Sequence, residues 1–286
     1  MEPWILYSLI GATFVWFVKF YWKIIAEKKL NKNRVLIYSM FVFTVFSLVF
    51  LATNFRYAHL SLFIVIVTII RVISGLEKHI FIVESLKNIE TWLFFPTHTI
   101  IHIFLVFIIG MIFFNEYLSF IQVFALFLWI WVVFLLSDKK SRNIQLDYKK
   151  GFLFLFISNI FALISSTINK YIAYIDFDIP TYMLISGLAG TLYLSFTKKD
   201  IFDAVDKDVK IKEMRAWFSR GFFAYVWYFS IVYALKDWPF ALVQMLLTLS
   251  VFIPIFLSVI IFDEKLSRRK VFAFSLFVLV VYLISI

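Results

Sequence analysis

The chain has 286 residues, 63% of them hydrophobic, with a mean hydropathy of +0.93 and a formal net charge of +10. Such apolarity exceeds what a soluble surface carries, and helices of about 20 apolar residues each leave no room for a large catalytic domain outside a membrane. The absence of cysteine excludes disulfides, thiolate metal sites and a cysteine nucleophile, while basic residues gathered between apolar blocks suit anionic lipid headgroups and not nucleic acid.

Apolar blocks bounded by charged breaks predict ten membrane-spanning helices, at 4–23, 35–53, 60–85, 92–114, 119–136, 151–173, 180–197, 216–235, 240–262 and 267–286. The runs are continuous where barrel strands would alternate, so the expected fold class is an all-α integral membrane protein. The first block opens on Met1-Glu2-Pro3 and runs into Lys19 and Lys23 without a small-residue cleavage site, so it reads as a span and not as a signal peptide. The third carries Arg71, Glu77, Lys78, His79 and Glu84 in apolar surroundings, where charges need partners or water. The fourth and ninth contain Pro96 and Pro254, each a source of a kink and of freed carbonyls.

An internal repeat organises these blocks. Leu86-Lys87 and Leu235-Lys236 lie 149 residues apart, and Asn115-Glu116-Tyr117-Leu118-Ser119 precedes Asp263-Glu264-Lys265-Leu266-Ser267 by 148. Arg71 falls on Arg220 at 149, and Lys19 on Lys170 at 151. Landmarks recurring in order indicate a duplication, with residues 1–143 as a first five-helix repeat and 144–286 as a second. Five spans return the chain on the opposite face, so the two repeats are inverted, a construction used by secondary transporters with a site near the midplane. Twenty-one basic residues fall in the odd-numbered connections or at the span ends beside them, whereas the even-numbered ones hold only Arg56 and Lys236. The connection 24–34 is basic and its counterpart, with Asp176 and Asp178, is acidic, as inversion requires. The positive-inside rule then places the odd connections in the cytoplasm and both termini outside.

Ser219-Arg220-Gly221-Phe222-Phe223, then Tyr233-Ala234-Leu235-Lys236, Leu249-Ser250, Pro254 and Asp263-Glu264-Lys265-Leu266, resemble the second half of EamA-like proteins of the drug/metabolite transporter superfamily. Thr167-Ile168-Asn169-Lys170-Tyr171 resembles the end of that family's sixth helix. The resemblance implies ten transmembrane helices as two inverted five-helix repeats, with a central cavity lined by helices three, four, eight and nine. It also implies cytoplasmic termini, opposite to the loop charges. Asn115-Glu116 and Asp263-Glu264 stand where a Gly-Glu pair is usual, and with only seven glycines, close helix packing is expected to rely on Ala and Ser. The first span lacks the glutamate through which the related small multidrug exporters couple protons, so that mechanism is not carried over.

Helical spacing puts Arg71 and Lys78 on one face of the third span and Glu77 and Glu84 on another. Arg71 and its repeat mate Arg220 would bind a substrate carboxylate or phosphate through a permanently charged guanidinium. The alternative is that both mark helix entries and snorkel to the headgroups. Glu77 and Glu84 would carry a proton or attract a cation, or else pair with Lys78, Arg71 or Lys87. His98 and His102 have a spacing that can hold zinc, but no third ligand is placed, so no metal is assigned; cavity lining and hydrogen bonding within the bundle stay open. Trp227 and Tyr228 beside Arg220, with Gln244 and Thr248 on the ninth span, would make an amphipathic cavity wall. Glu116 and Glu264 read as turn and capping residues.

The expectation is a secondary transporter of a small polar or amphipathic metabolite, working by alternating access in a cell or inner membrane. Its partners would be a small-molecule substrate, membrane lipids and a coupling proton or ion, with no nucleic acid and no cofactor. The alternatives are an integral membrane enzyme using His98, His102 and Glu84, disfavoured by the lack of a recognisable acid–base, metal or nucleotide motif, and a non-transporting scaffold, which has no use for charges at depth.

Overall fold

The structure is a computed structural model that describes residues 3–27, 31–53, 61–86, 88–89, 91–136, 147–198, 207–247 and 268–284. Among the described residues there are ten helices and no strands: α1 (Pro3–Glu27), α2 (Lys32–Thr53), α3 (Leu62–Leu86), α4 (Thr91–Phe114), α5 (Phe120–Leu136), α6 (Tyr148–Tyr174), α7 (Ile179–Thr197), α8 (Lys207–Asp237), α9 (Phe240–Leu247) and α10 (Arg268–Ile284). Nine of the ten expected spans coincide with a described helix, whereas of the ninth, 240–262, only Phe240–Leu247 lies among the described residues; the stretches Asn33–Thr53, Thr97–Phe114, Tyr148–Tyr174 and Ile179–Thr197 are long and apolar enough to cross a membrane. In hydrocarbon only a helix satisfies every backbone group within its own segment, so the apolar runs have no other stable form.

The helix ends follow local chemistry. Asp178 caps α7, its carboxylate accepting the Thr181 N–H at 2.9 Å, with Pro180 in the first turn where no donor is missed. Before it, α6 closes in a Schellman turn: Asp176 takes φ 52° and bonds to Ala173 O, and Phe177 N–H reaches Ile172 O. Asn115, at φ 51°, ends α4 in the same left-handed conformation, which Asn and Asp tolerate best among residues with a Cβ. One boundary differs from expectation. α8 begins at Lys207, well before the apolar run near 216, because Lys207–Arg215 is free of Gly and Pro. Glu213 in this extension binds Arg34 at 3.2 Å and the Asn31 N–H at 3.1 Å, with both charged side chains buried.

Polarity is arranged inside out. Large apolar side chains such as Ile112, Phe113, Phe120, Phe127 and Trp131 are exposed, whereas Ser39, Ser47, Thr68, Asn159 and Ser166 are buried. Lipid makes the outer face an apolar environment. Inside, the hydroxyls of Ser39, Ser47, Thr68 and Ser166 are satisfied by the carbonyl one turn back. The chain is accordingly an integral membrane protein.

Two compact units are present, Met1–Ile73 with Ile168–Asp237, and Ser74–Thr167 with Trp238–Ile286; each draws on both halves of the chain. In the first, α1 packs along α8, and α2 along α7 and α8. Tyr7 stacks on Tyr233 with centroids 5.6 Å apart, and Phe17 on Phe223 at 4.7 Å. The expectation that close packing rests on Ala and Ser is corrected here, since glycine carries part of it. Gly187 of α7 lies against Thr44, and a methyl at Gly221 of α8 would stand 2.7 Å from the Ser39 carbonyl oxygen. In the second unit α4 packs on α9 and α5 on α10. Ser85 donates to Gly151 O at 2.8 Å, Phe81 stacks on Phe161, and Ile89, Phe94 and Leu155 form a small core.

Candidate functional site

Arg71 lies near the middle of α3 and is 6% exposed. Its guanidinium carbon stands 3.7 Å from the ring centroid of Tyr228 on α8, a cation–π contact that satisfies the face of the ion but not its N–H edge. Nε has no hydrogen-bond partner and no carboxylate pairs with Arg71 among the described residues. The snorkelling alternative does not fit this position, because the side chain ends against protein and not at a surface.

Tyr228 is fixed in turn. Its ring meets Phe43 edge-on at 5.9 Å and Trp227 at 5.3 Å. Its oxygen accepts from Asn169 Nδ2 at 3.1 Å, and Asn169 Oδ1 accepts the hydroxyl proton of Tyr182 at 2.6 Å. Tyr182 lies within electrostatic reach of Arg71. Arg71, Tyr228, Asn169 and Tyr182 thus form one cluster, Tyr228 half-buried and the other three buried, drawn from α3, α8, α6 and α7 within the first unit.

Asn169 and Tyr182 are absent from the residues selected on sequence. The signal for Asn169 was present, as an amide in an apolar helix; Tyr182 was hidden by the abundance of tyrosine. Lys170, next to Asn169, has a structural part, donating to Leu235 O at 3.0 Å near the C-terminus of α8, where a cation meets the helix dipole.

Of the other selected residues in this unit, Arg220 is buried two turns before Tyr228, beside the α2–α8 approach at Gly221. Trp227 adjoins Tyr228, and its indole N–H has no hydrogen-bond partner among the described residues. The second unit holds Glu77, Glu84, His98, His102 and Gln244. His98 and His102 stack one turn apart with centroids separated by 6.3 Å; His102 stands beside Gln244 and in the field of Lys78. Among the described residues no third His, Cys, Asp or Glu completes a metal cluster with them. Glu77 and Glu84 are half-buried on α3. Thr248, Pro254 and Glu264 lie outside the described residues. Glu116 is a cap, as expected, but of a distant helix: its carboxylate accepts the N–H of Phe240, the first residue of α9.

Comparison with known proteins bears on the whole chain and on its second half separately. A solved structure, described only as the crystal structure of a protein, superposes with a TM-score of 0.73 at 12% identity, over 97% of this chain and 95% of that one. At that identity the likeness is one of fold. No curated protein is matched. Residues 149–286 match the model of the EamA-like transporter family, whose members are membrane transporters and not enzymes. That segment contains Asn169, Tyr182, Arg220 and Tyr228, together with the short motifs on which the resemblance rests, and the match over it is consistent with an EamA-like transporter of the drug/metabolite transporter superfamily.

Proposed function

We propose that this membrane transporter is a secondary transporter, moving a small polar or amphipathic metabolite by alternating access between two inverted five-helix repeats, 1–143 and 144–286. The observation that carries the reading is Arg71, a buried permanent charge in an apolar helix with no carboxylate beside it among the described residues. A charge at such a position costs several kcal/mol unless it is paired, and an intramembrane ion kept at that cost is a functional site by default.

Helix pairing supports the duplicated architecture. α2 packs on α7, α4 on α9 and α5 on α10. Under the proposed repeat each of these helices lies against its own counterpart, as two copies related by a pseudo-two-fold axis would. Arg71, Arg220, Trp227 and Tyr228 serve substrate binding in this reading. Glu77, Glu84, His98, His102, Gln244 and Thr248 provide further polar contacts and a place for a coupling proton or ion.

The test is counterflow in proteoliposomes. Vesicles holding the full chain and loaded with one unlabelled solute should accumulate the same labelled solute transiently, and Arg71→Gln should abolish this. Vesicles that accumulate none of a panel of amino acids, organic acids, sugar phosphates and organic cations would remove the transport reading.

A further inference from the structure

The cluster around Arg71 has a direction, and the direction selects a ligand. Tyr182 gives its hydroxyl proton to Asn169 Oδ1, which leaves the amide of Asn169 to donate from Nδ2 to the oxygen of Tyr228. An oxygen that accepts in this way keeps its own hydrogen for another acceptor. The one acceptor described within reach is Asn169 Oδ1 again, at 3.5 Å, a distance at which little bonding remains and on an atom already used by Tyr182. The Tyr228 hydroxyl therefore ends the relay with only this long contact for its hydrogen, and a closer acceptor would bind it more strongly. It sits at the rim of the ring that Arg71 covers, and Arg71 itself offers N–H groups with Nε unpartnered.

Two donors of this kind, one charged and one neutral, match a carboxylate, whose two oxygens accept side by side. Arg71 is the one cation of these four residues and balances one negative charge; Arg220 lies two turns before Tyr228 on α8. A phosphate dianion would bring a second charge, for which this cluster has no partner. We propose that Arg71 and Tyr228, oriented by Asn169 and Tyr182, form a binding site for the carboxylate of a singly charged or zwitterionic organic acid. The proposal rests on the transporter reading for its physiological sense, but binding at this site is measured independently of flux. Arg71 and Tyr228 touch the ligand; Asn169 and Tyr182 are positioning residues that hold the phenol in its donating orientation.

The experiment is ligand-dependent thermal stabilisation of the full chain in detergent, with benzoate, hexanoate and inorganic phosphate as probes. The carboxylates should raise the melting temperature of the parent and of Arg269→Gln, a charge-matched control on α10. Arg71→Gln should weaken carboxylate binding about ten- to a hundredfold, the range of a charge-assisted hydrogen bond. Tyr228→Phe, which keeps the ring and removes the hydroxyl, should weaken it about two- to tenfold. Should Arg71→Gln fail to fold, Arg71→Lys keeps the charge without the planar fork and should bind more weakly than the parent. Asn169→Leu should lower carboxylate affinity as Tyr228→Phe does, and the two losses should not add, since both act through one hydroxyl.

Equal carboxylate binding by parent and Arg71 variants, preference for phosphate, or no response to any carboxylate would each overturn the assignment. Arg71-dependent carboxylate binding without counterflow would keep the site and remove the transporter reading. Counterflow of a non-acidic solute that survives Arg71→Gln would keep a transporter and remove the site.

Discussion

The carboxylate of Glu116, just past the end of α4, accepts the backbone N–H of Phe240 at 2.7 Å and so caps the first turn of α9. The contact unites a charge-assisted hydrogen bond with a favourable position at the positive end of a helix dipole. Glu116→Ala should lower stability by about 1–2 kcal/mol, and Glu116→Gln, which retains an acceptor, by less. Thermal unfolding in detergent measures both. Under the proposed duplication Glu264 is the counterpart of Glu116, so Glu264→Ala should show a loss of similar size; indifference at Glu264 would count against equivalent halves.

The Arg34–Glu213 pair ties the start of α2 to the extension of α8, with the side chains 8% and 3% exposed. Removing one partner of a buried pair strands the other, at about 3–5 kcal/mol. Glu213→Ala also takes the acceptor from Asn31 N–H. Its melting temperature should fall further than that of Glu213→Gln, and a proteolytic cut near 207–213 should become easier than in the parent.

Glycine substitutions separate tight contacts from tolerant ones. At Gly221 a new Cβ meets the Ser39 carbonyl oxygen at 2.7 Å, backbone that cannot swing aside, whereas at Gly75 it meets the Ser165 hydroxyl oxygen at 3.3 Å. Gly221→Ala should destabilise by about 1–3 kcal/mol through overpacking. Gly75→Ala should stay near the parent in thermal unfolding, since replacing Gly by Ala inside a helix gains about 0.5–1 kcal/mol to set against a small displacement.

Tyr182→Phe deletes the proton that Asn169 Oδ1 accepts and leaves a buried amide oxygen under-satisfied, a loss of about 1–3 kcal/mol. Asn169→Leu removes the amide altogether. A double-mutant cycle on Tyr182→Phe and Asn169→Leu should give a coupling of about 1 kcal/mol, and independent, additive effects would contradict the shared hydrogen bond.

Much of this protein was legible in the order of its residues. Apolar runs of spanning length dictate helices because hydrocarbon offers the backbone no other partner, and the expected spans coincide with described helices except for the ninth, of which only Phe240–Leu247 is described. The charged third helix marked Arg71 as a candidate, and the motifs from Thr167 to Leu266 pointed to the family that the match over 149–286 supports. The early start of α8 was missed because its first residues are charged, and what holds them is Arg34, far away in the chain.

What only the tertiary structure decided is which polar groups meet. Sequence spacing relates residues on one helix, but Tyr182, Asn169 and Tyr228 sit on three helices and are joined by hydrogen bonds, and Tyr228 meets Arg71 on a fourth. Nothing in the periodicity of α7 separates Tyr182 from the other tyrosines of the chain. Its role follows from facing a buried amide, whose oxygen takes the hydroxyl proton of Tyr182 and so sets the direction of the hydrogen bond from Asn169 to Tyr228.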